Sequence, residues 1–253
     1  VWNARNMNEY GQWIRYSYGN GNTIDKTYDE NHLPESITAG EPFYQRYTFD
    51  GTTGNLLSRN RESFDYDELN RLVGDGVTQL EYETNGNIAR KSDIGMYTYN
   101  STKPHAVDGI TQVDNNYNPQ PHNLSFSPFN KIKDIEGYNQ HLGHTYRQEF
   151  SYGPRRSRKL VKTFRDGQHI KSKIYAGSYE EVTDHETEEI KKIHYINGGD
   201  GLAAILISKA KKPKLYYVYK DYLGSIIRLI DQDNHIIENY SFNAWGRRRK
   251  PSN

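Results

Sequence analysis

The chain contains no cysteine. Disulfides, thiolate zinc sites and thiol nucleophiles are therefore excluded together, although the compartment stays open because exported proteins can also lack cysteine. Long apolar runs are missing as well. The longest, LAAILI over 202–207, falls far short of the ~20 residues needed to span a bilayer as a helix. The opening Val1-Trp2-Asn3-Ala4-Arg5 has neither the basic start nor the apolar segment of a secretory signal. With Pro251-Ser252-Asn253 at the other end, the chain reads as an excerpt of a longer protein. Charge of one sign is also scarce: 33 basic against 32 acidic residues leave a net charge of +1. No positive excess is available to neutralise a phosphate backbone, so no nucleic-acid partner is expected. Leu, Ile, Val and Phe make up just under one-fifth of the 253 residues, a share that accompanies disorder when net charge is high. Here net charge is low and aromatics reach 13%, with 22 Tyr, which argues for an ordered chain.

What is present points to strands and turns. Tyr and β-branched residues suit a pleated, half-buried surface, and 21 Gly with many Asp and Asn supply turns. The fold class expected is all-β, with little or no helix. An aromatic followed by an acid or amide recurs at Tyr28-Asp29, Phe49-Asp50, Tyr66-Asp67, Tyr82-Glu83 and Tyr99-Asn100, at steps of 21, 17, 16 and 17 residues. Such a period is the signature of a repeat architecture. Each unit reads as strand, polar turn, strand. The strand ends on a buried aromatic, the next carboxylate or amide bonds backbone two positions on, and a following Gly or Asn takes positive φ. Asn85-Gly86 is the strongest hairpin signal, read as a type I′ turn. Further turns are expected at Asp75-Gly76, Asp108-Gly109, Asp166-Gly167, Asn197-Gly198 and Asp200-Gly201.

The period loosens after Asn100, where Lys103-Pro104-His105-Ala106-Val107 and then Asn118-Pro119-Gln120-Pro121 interrupt it. We place a soft boundary here, between a hairpin array over 1–102 and a second β segment over 103–253 that continues the same sheet. Strands are expected over 146–152, 172–181, 190–196, 214–219, 225–230 and 235–242. The acidic stretch Glu186-Thr187-Glu188-Glu189 is expected to form a solvated hairpin tip.

These repeats resemble those of the YD-repeat, or Rhs-repeat, family. The closing segment is the more specific match. Asp221-Tyr222-Leu223-Gly224-Ser225, with the aliphatic strand after it, resembles the family's core pattern D-x-L-G-S, and Tyr240-Ser241-Phe242-Asn243-Ala244-Trp245-Gly246 resembles its Y-x-[YF]-[DN]-x-W-G. Lys103-Pro104-His105 and Phe150-Ser151-Tyr152-Gly153-Pro154-Arg155 also fit. The resemblance implies repetitive antiparallel hairpins in a β-sheet that spirals into a hollow bacterial toxin shell around a C-terminal toxin or effector domain. It implies a secreted or surface-delivered container rather than a catalyst, and no cofactor. The residues carrying structural roles would then be the ten of the five repeat pairs, with Asp221, Leu223, Gly224, Ser225, Tyr240, Trp245 and Gly246 of the core motif. The stretch that cleaves the shell from its passenger in many family members has no counterpart in 1–253, so the segment is expected to be proteolytically inert.

Other chemistry is weakly signalled. His141 and His144, with Asp184, His185 and Glu186, could be imagined around a metal, yet zinc needs three or four convergent ligands; we expect surface histidines and no metal site. No nucleophile elbow accompanies the scattered Ser, His and Asp, and Gly19-Asn20-Gly21-Asn22 lacks the strand-to-helix setting of a phosphate loop. Two basic clusters, Arg155-Arg156-Ser157-Arg158-Lys159 and Arg247-Arg248-Arg249-Lys250, could meet an acidic passenger, an anionic glycan or phosphate; solvated loops are the plainer expectation. An alternative function is a glycan- or cell-surface-binding module, which would stack sugars on exposed aromatic rows. Against it, the repeat tyrosines are expected to pack across strands.

Overall fold

The computed structural model describes residues 1–40, 43–112, 122–209 and 212–250. The described residues are all-β, without helix. No helix among them is long and apolar enough to cross a membrane. The expected interruption at Asn118-Pro119-Gln120-Pro121 and the closing Pro251-Ser252-Asn253 lie outside the described residues.

Strands follow one another as antiparallel neighbours. The first sheet runs in sequence order through β1 (Trp2–Met7), β2 (Trp13–Tyr18), β3 (Thr23–Tyr28), β4 (Pro34–Thr38), β5 (Tyr44–Phe49), β6 (Leu56–Arg59) and β7 (Glu62–Ser63). A two-stranded ribbon follows, β8 (Asp65–Tyr66) with β9 (Leu72–Gly74). A four-stranded sheet comes next: β10 (Leu80–Tyr82), β11 (Ile88–Lys91), β12 (Gly95–Tyr99) and β13 (Val107–Gln112). The largest sheet has eleven strands, again in chain order. They are β14 (His122–Phe126), β15 (Ile132–Asn139), β16 (His144–Tyr152), β17 (Arg158–Arg165), β18 (Gln168–Ala176), β19 (Tyr179–Asp184), β20 (Ile190–Gly198), β21 (Gly201–Ser208), β22 (Lys214–Lys220), β23 (Ile226–Ile230) and β24 (Ile236–Asn239). The chain closes on a small hairpin, β25 (Ser241–Phe242) with β26 (Arg248–Arg249).

Two compact units emerge. One comprises Gln120–Tyr219 and Leu229–Glu238; the other comprises Trp2–Pro119, Lys220–Arg228 and Asn239–Asn253. The repeat-bearing unit keeps its apolar core close to the chain's aromatic and β-branched positions. Tyr16, Tyr18, Ile24, Ile37, Phe43, Tyr47, Phe64 and Leu80 are buried there. In the other unit, burial concentrates on β21 and β22 through Ala203, Ala204, Ile205, Tyr217, Val218 and Tyr219.

Several turns differ from expectation. Asn85-Gly86 does not make a two-residue hairpin: the loop runs from Glu83, whose N–H donates to the Asn87 carbonyl at 2.8 Å, and Gly86 takes φ +88 within it. The tight turn with positive φ at both positions is instead Asp166-Gly167, at +49 and +82. Asp108-Gly109 lies inside β13 and Asn197-Gly198 inside β20, because cross-strand pairing with β12 and β21 holds both extended. The strand expected over 172–181 is broken by a turn at Gly177, φ +63. That expected over 235–242 is divided between β24 and β25, which belong to different sheets.

Candidate functional site

The repeat loops share one geometry, set by a side-chain oxygen just beyond the strand. At Asp67, Oδ1 accepts the N–H groups of Leu69 and Arg71, both at 2.9 Å, while the Asp67 N–H donates to the Arg71 carbonyl at 3.0 Å. The fourth loop residue, Asn70, takes φ +59 and donates its N–H to the Asp67 carbonyl. Asp29 repeats this with Asn31, Leu33 and a positive φ at His32. Asn8 does so with Tyr10, Gln12 and Gly11. The same loop closes at Asp231 with Asp233 and His235, and at Asn243 with Trp245 and Arg247. Asp50 and Asn100 cap slightly longer loops through Thr52 and Thr53, and through Thr102 and Lys103. Glu83 stands out: Asn85, not Glu83, supplies the side-chain oxygen, to the Asn87 N–H at 2.9 Å. Asn and Asp are suited to such loops because a short side chain bonds its own backbone and positive φ is tolerated.

Hydrogen bonds to the ionised form explain the carboxylate energetics. The Thr53 N–H holds the Asp50 carboxyl below the usual range, and the Arg71 side chain followed by its N–H does the same for Asp67.

In four of the five pairs the aromatic is a tyrosine that does more than fill space. The hydroxyl of Tyr28 donates to the Trp13 carbonyl at 3.0 Å, that of Tyr66 to Leu56 at 3.1 Å, that of Tyr82 to Leu72 at 2.8 Å and that of Tyr99 to Ile88 at 2.9 Å. Outside the five pairs, Tyr152 reaches Ile132 in the same manner at 2.6 Å. Each acceptor opens the strand that follows the preceding loop, so every tyrosine fastens its hairpin to the one before. Burial raises the Tyr66, Tyr82 and Tyr99 phenols above the ordinary value. The four tyrosine pairs are thus linked to neighbouring hairpins by local contacts rather than gathered into one cleft, while Phe49 packs edge-on to Tyr222. Sequence reasoning missed the hydroxyl acceptors; the ten- and eleven-residue offsets for Tyr66, Tyr82 and Tyr99 were the available signal.

The core motif forms a seam within the repeat-bearing unit. Asp221 is buried, its Oδ1 accepting the Ser225 N–H at 2.8 Å, and Gly224 takes φ +88 where a side chain would be strained. The Tyr222 N–H donates to the buried Tyr47 hydroxyl at 3.3 Å, and its ring sits edge-on to Tyr47 and Phe49. Burial, then the nearby Asp221 charge, push the Tyr47 phenol far above its usual range. Arg59 bonds Glu62 at 2.8 Å and the Phe242 carbonyl at 2.8 Å, and Arg249 pairs with the same Glu62. Lys91, ion-paired to Asp93, lies 4.4 Å from the Trp245 ring centre, and Arg248 lies 4.7 Å from that of Tyr240. Between these groups is a cleft of about 370 Å³ whose walls include Leu56, Phe64, Leu72, Asp221, Tyr222 and Phe242. Leu223 stays exposed at the motif's tip, and Gly246 takes φ +75 in the closing loop.

The eleven-stranded sheet has a different surface. From β14 through β20, Val161 is the single buried side chain among the described residues. Residues directly opposite one another share a face. One such row reads Phe150, Val161, Lys173, Val182, Lys191; the row on the opposite face reads Ser151, Leu160, Ile174, Glu181, Lys192. Both faces mix apolar and charged groups.

The histidines considered for a metal are not brought together. His144 Nδ1 sits 2.5 Å from Asp166 Oδ2, whereas His185 Nε2 lies 2.9 Å from Ser172 Oγ. Asp231, Asp233 and His235 do cluster, as parts of the loop cap just described.

No family model matches the chain, and no curated protein does. Among solved structures, it is similar to TcdB2-TccC3 without its hypervariable C-terminal region, at 13% identity and a TM-score of 0.38, covering 95% of this chain and 18% of that one. It is also similar to a Tc holotoxin pore of Photorhabdus luminescens, at 13% identity and a TM-score of 0.40, covering 96% of this chain and 17% of that one. The chain therefore spans under a fifth of the structures it matches.

Proposed function

We propose that this chain is a non-catalytic wall segment of a bacterial Rhs- or YD-type toxin shell, enclosing and shielding a C-terminal effector domain of the same polypeptide, with the parent exported to the medium or the cell surface. The observation that carries this reading is the two-sided surface of β14–β20. A sheet in a packed core hides one apolar face; this one keeps both faces mixed in polarity and half-exposed, which suits enclosure without tight packing. The loop caps and tyrosine fastenings give the wall rigidity from local contacts, and the closing seam adds contacts between residues far apart in sequence. The repeat tyrosines direct their hydroxyls at backbone carbonyls of the neighbouring hairpin, which favours a packing role over the glycan-binding alternative.

Protease protection tests the reading. The parent polypeptide, with its native C-terminal domain, is treated with protease before and after denaturation and followed by denaturing gel and size-exclusion chromatography. Shielding predicts a C-terminal domain that co-elutes with the wall and is digested only after denaturation. A domain that is digested at once under native conditions overturns the proposal.

A further inference from the structure

Two imidazoles on the eleven-stranded sheet converge on one atom. His169, at the start of β18, and His185, just past the end of β19, place their Nε2 atoms 3.0 and 2.9 Å from Ser172 Oγ. Their ring centres are 4.3 Å apart. The His185 N–H donates to the Ile170 carbonyl at 2.9 Å, and His169 stands opposite Phe164 in the β17–β18 ladder with the two rings 5.0 Å apart. The neighbouring charges come from both signs. Lys162 and Thr183 stand opposite Ser172, Lys171 stands opposite Asp184, and Arg165 is paired with Glu186.

The hydrogen-bond inventory fixes the protonation pattern. One serine hydroxyl can donate to only one ring. His169 Nε2 also faces the Lys171 carbonyl at 3.1 Å, which can only accept, so this nitrogen carries the proton. The hydroxyl then donates to His185 Nε2, whose lone pair already points at the convergence point. Moving the His169 proton to Nδ1 frees a second lone pair there without net proton release.

We infer that His169 and His185 form a two-imidazole chelate for a divalent transition metal, with solvent completing the coordination. Neutral imidazole suits copper, nickel and zinc, and affinity among them peaks at Cu²⁺. Both nitrogens lie within about 3 Å of Ser172 Oγ, so rotation of the half-buried His169 and exposed His185 side chains can bring them to the ~2.0–2.1 Å bond typical of zinc–histidine sites around an ion seated beside that hydroxyl. Ser172 Oγ stands near where the ion would sit. The ion would tie the β17–β18 hairpin to the turn that leaves β19.

The test adds Cu²⁺ alone to the purified chain and follows it by electron paramagnetic resonance and calorimetric titration. The expected result is a nitrogen-coordinated signal saturating at one ion per chain. His169→Gln or His185→Gln weakens it at least tenfold, Ser172→Ala keeps it, and His235→Gln, in the Asp231 loop, leaves it unchanged. Hydrogen exchange at the His185 N–H, slowed by the metal in the wild type and not in His169→Gln, separates chelation from a folding defect. Absence of nitrogen coordination, undiminished affinity in either His169→Gln or His185→Gln, or loss of the signal in His235→Gln overturns the inference.

Discussion

Replacing Tyr28, Tyr66, Tyr82 and Tyr99 together by Phe removes four hydroxyls and leaves the rings in place. Each hydroxyl donates to a carbonyl at 2.8–3.1 Å in a different hairpin, and no two share an acceptor. A neutral hydrogen bond contributes about 0.5–1.5 kcal/mol net. Independent sites add to within a few tenths of a kcal/mol, so the quadruple variant should lose about 4 kcal/mol. That is a large part of the ~5–15 kcal/mol available to an ordinary domain. With a urea dependence of ~2 kcal/mol per molar, the unfolding midpoint falls by about 2 M, followed through far-ultraviolet dichroism. Tyr44→Phe, at a residue 56% exposed on β5, is the control and should leave the midpoint unchanged. A quadruple variant with a wild-type midpoint would show that water replaces these bonds without cost and that ring packing alone holds the array.

Acid should loosen the loops. The carboxyls of Asp50, Asp67, Asp166, Asp184 and Asp231 all lie below their usual value, chiefly through hydrogen bonds to the ionised form. Their contribution is present above the unfolded value of ~3.9 and is lost as pH falls through the folded ones, so the urea midpoint should be flat from pH 7 to 5 and drop below about pH 4; a flat profile to pH 3 counts against it. Alkali acts on Tyr195, which burial and then Glu180 push up to about 12. Its contribution is intact below pH ~10 and disappears as pH rises towards 12, as a phenolate absorbance titration would register. A Cβ at Gly95 would collide with the Thr111 carbonyl; Gly95→Ala should separate β12 from β13 and abolish slow hydrogen exchange there. Arg59→Ala removes a partner of Glu62 and of the Phe242 carbonyl, at a cost of about 3 kcal/mol for a largely buried pair, and should expose 239–250 to protease first.

The local half of this architecture was legible in the residues, because it is written at short range. Asp67 followed by Asn70, or Asp29 followed by His32, announces a loop whose cap lies two to four residues away. Turn residues alone did not suffice where pairing won. Asp108-Gly109 and Asn197-Gly198 carry turn composition, yet each lies in a strand whose ladder fixes it extended. The seam was not legible at all. Arg59 meets Phe242 and Tyr47 meets Tyr222 across 183 and 175 residues, distances at which spacing carries no information. The His169–His185 contact was equally hidden, since only the β18–β19 register brings the two rings to one side.

The tyrosine hook has a consequence for how such a chain can change length. The hairpins at Tyr28 and Tyr66 each carry their own loop cap and their own fastening to the hairpin behind, so an inserted copy of such a unit arrives with the contacts it needs and asks nothing new of its neighbours. Stability in arrays of this kind is a sum of unit and nearest-neighbour contributions. Duplication or loss of a unit near Tyr66 or Tyr82 would therefore alter the extent of the sheet while sparing its construction, giving evolution a way to resize the protein in increments of a single hairpin.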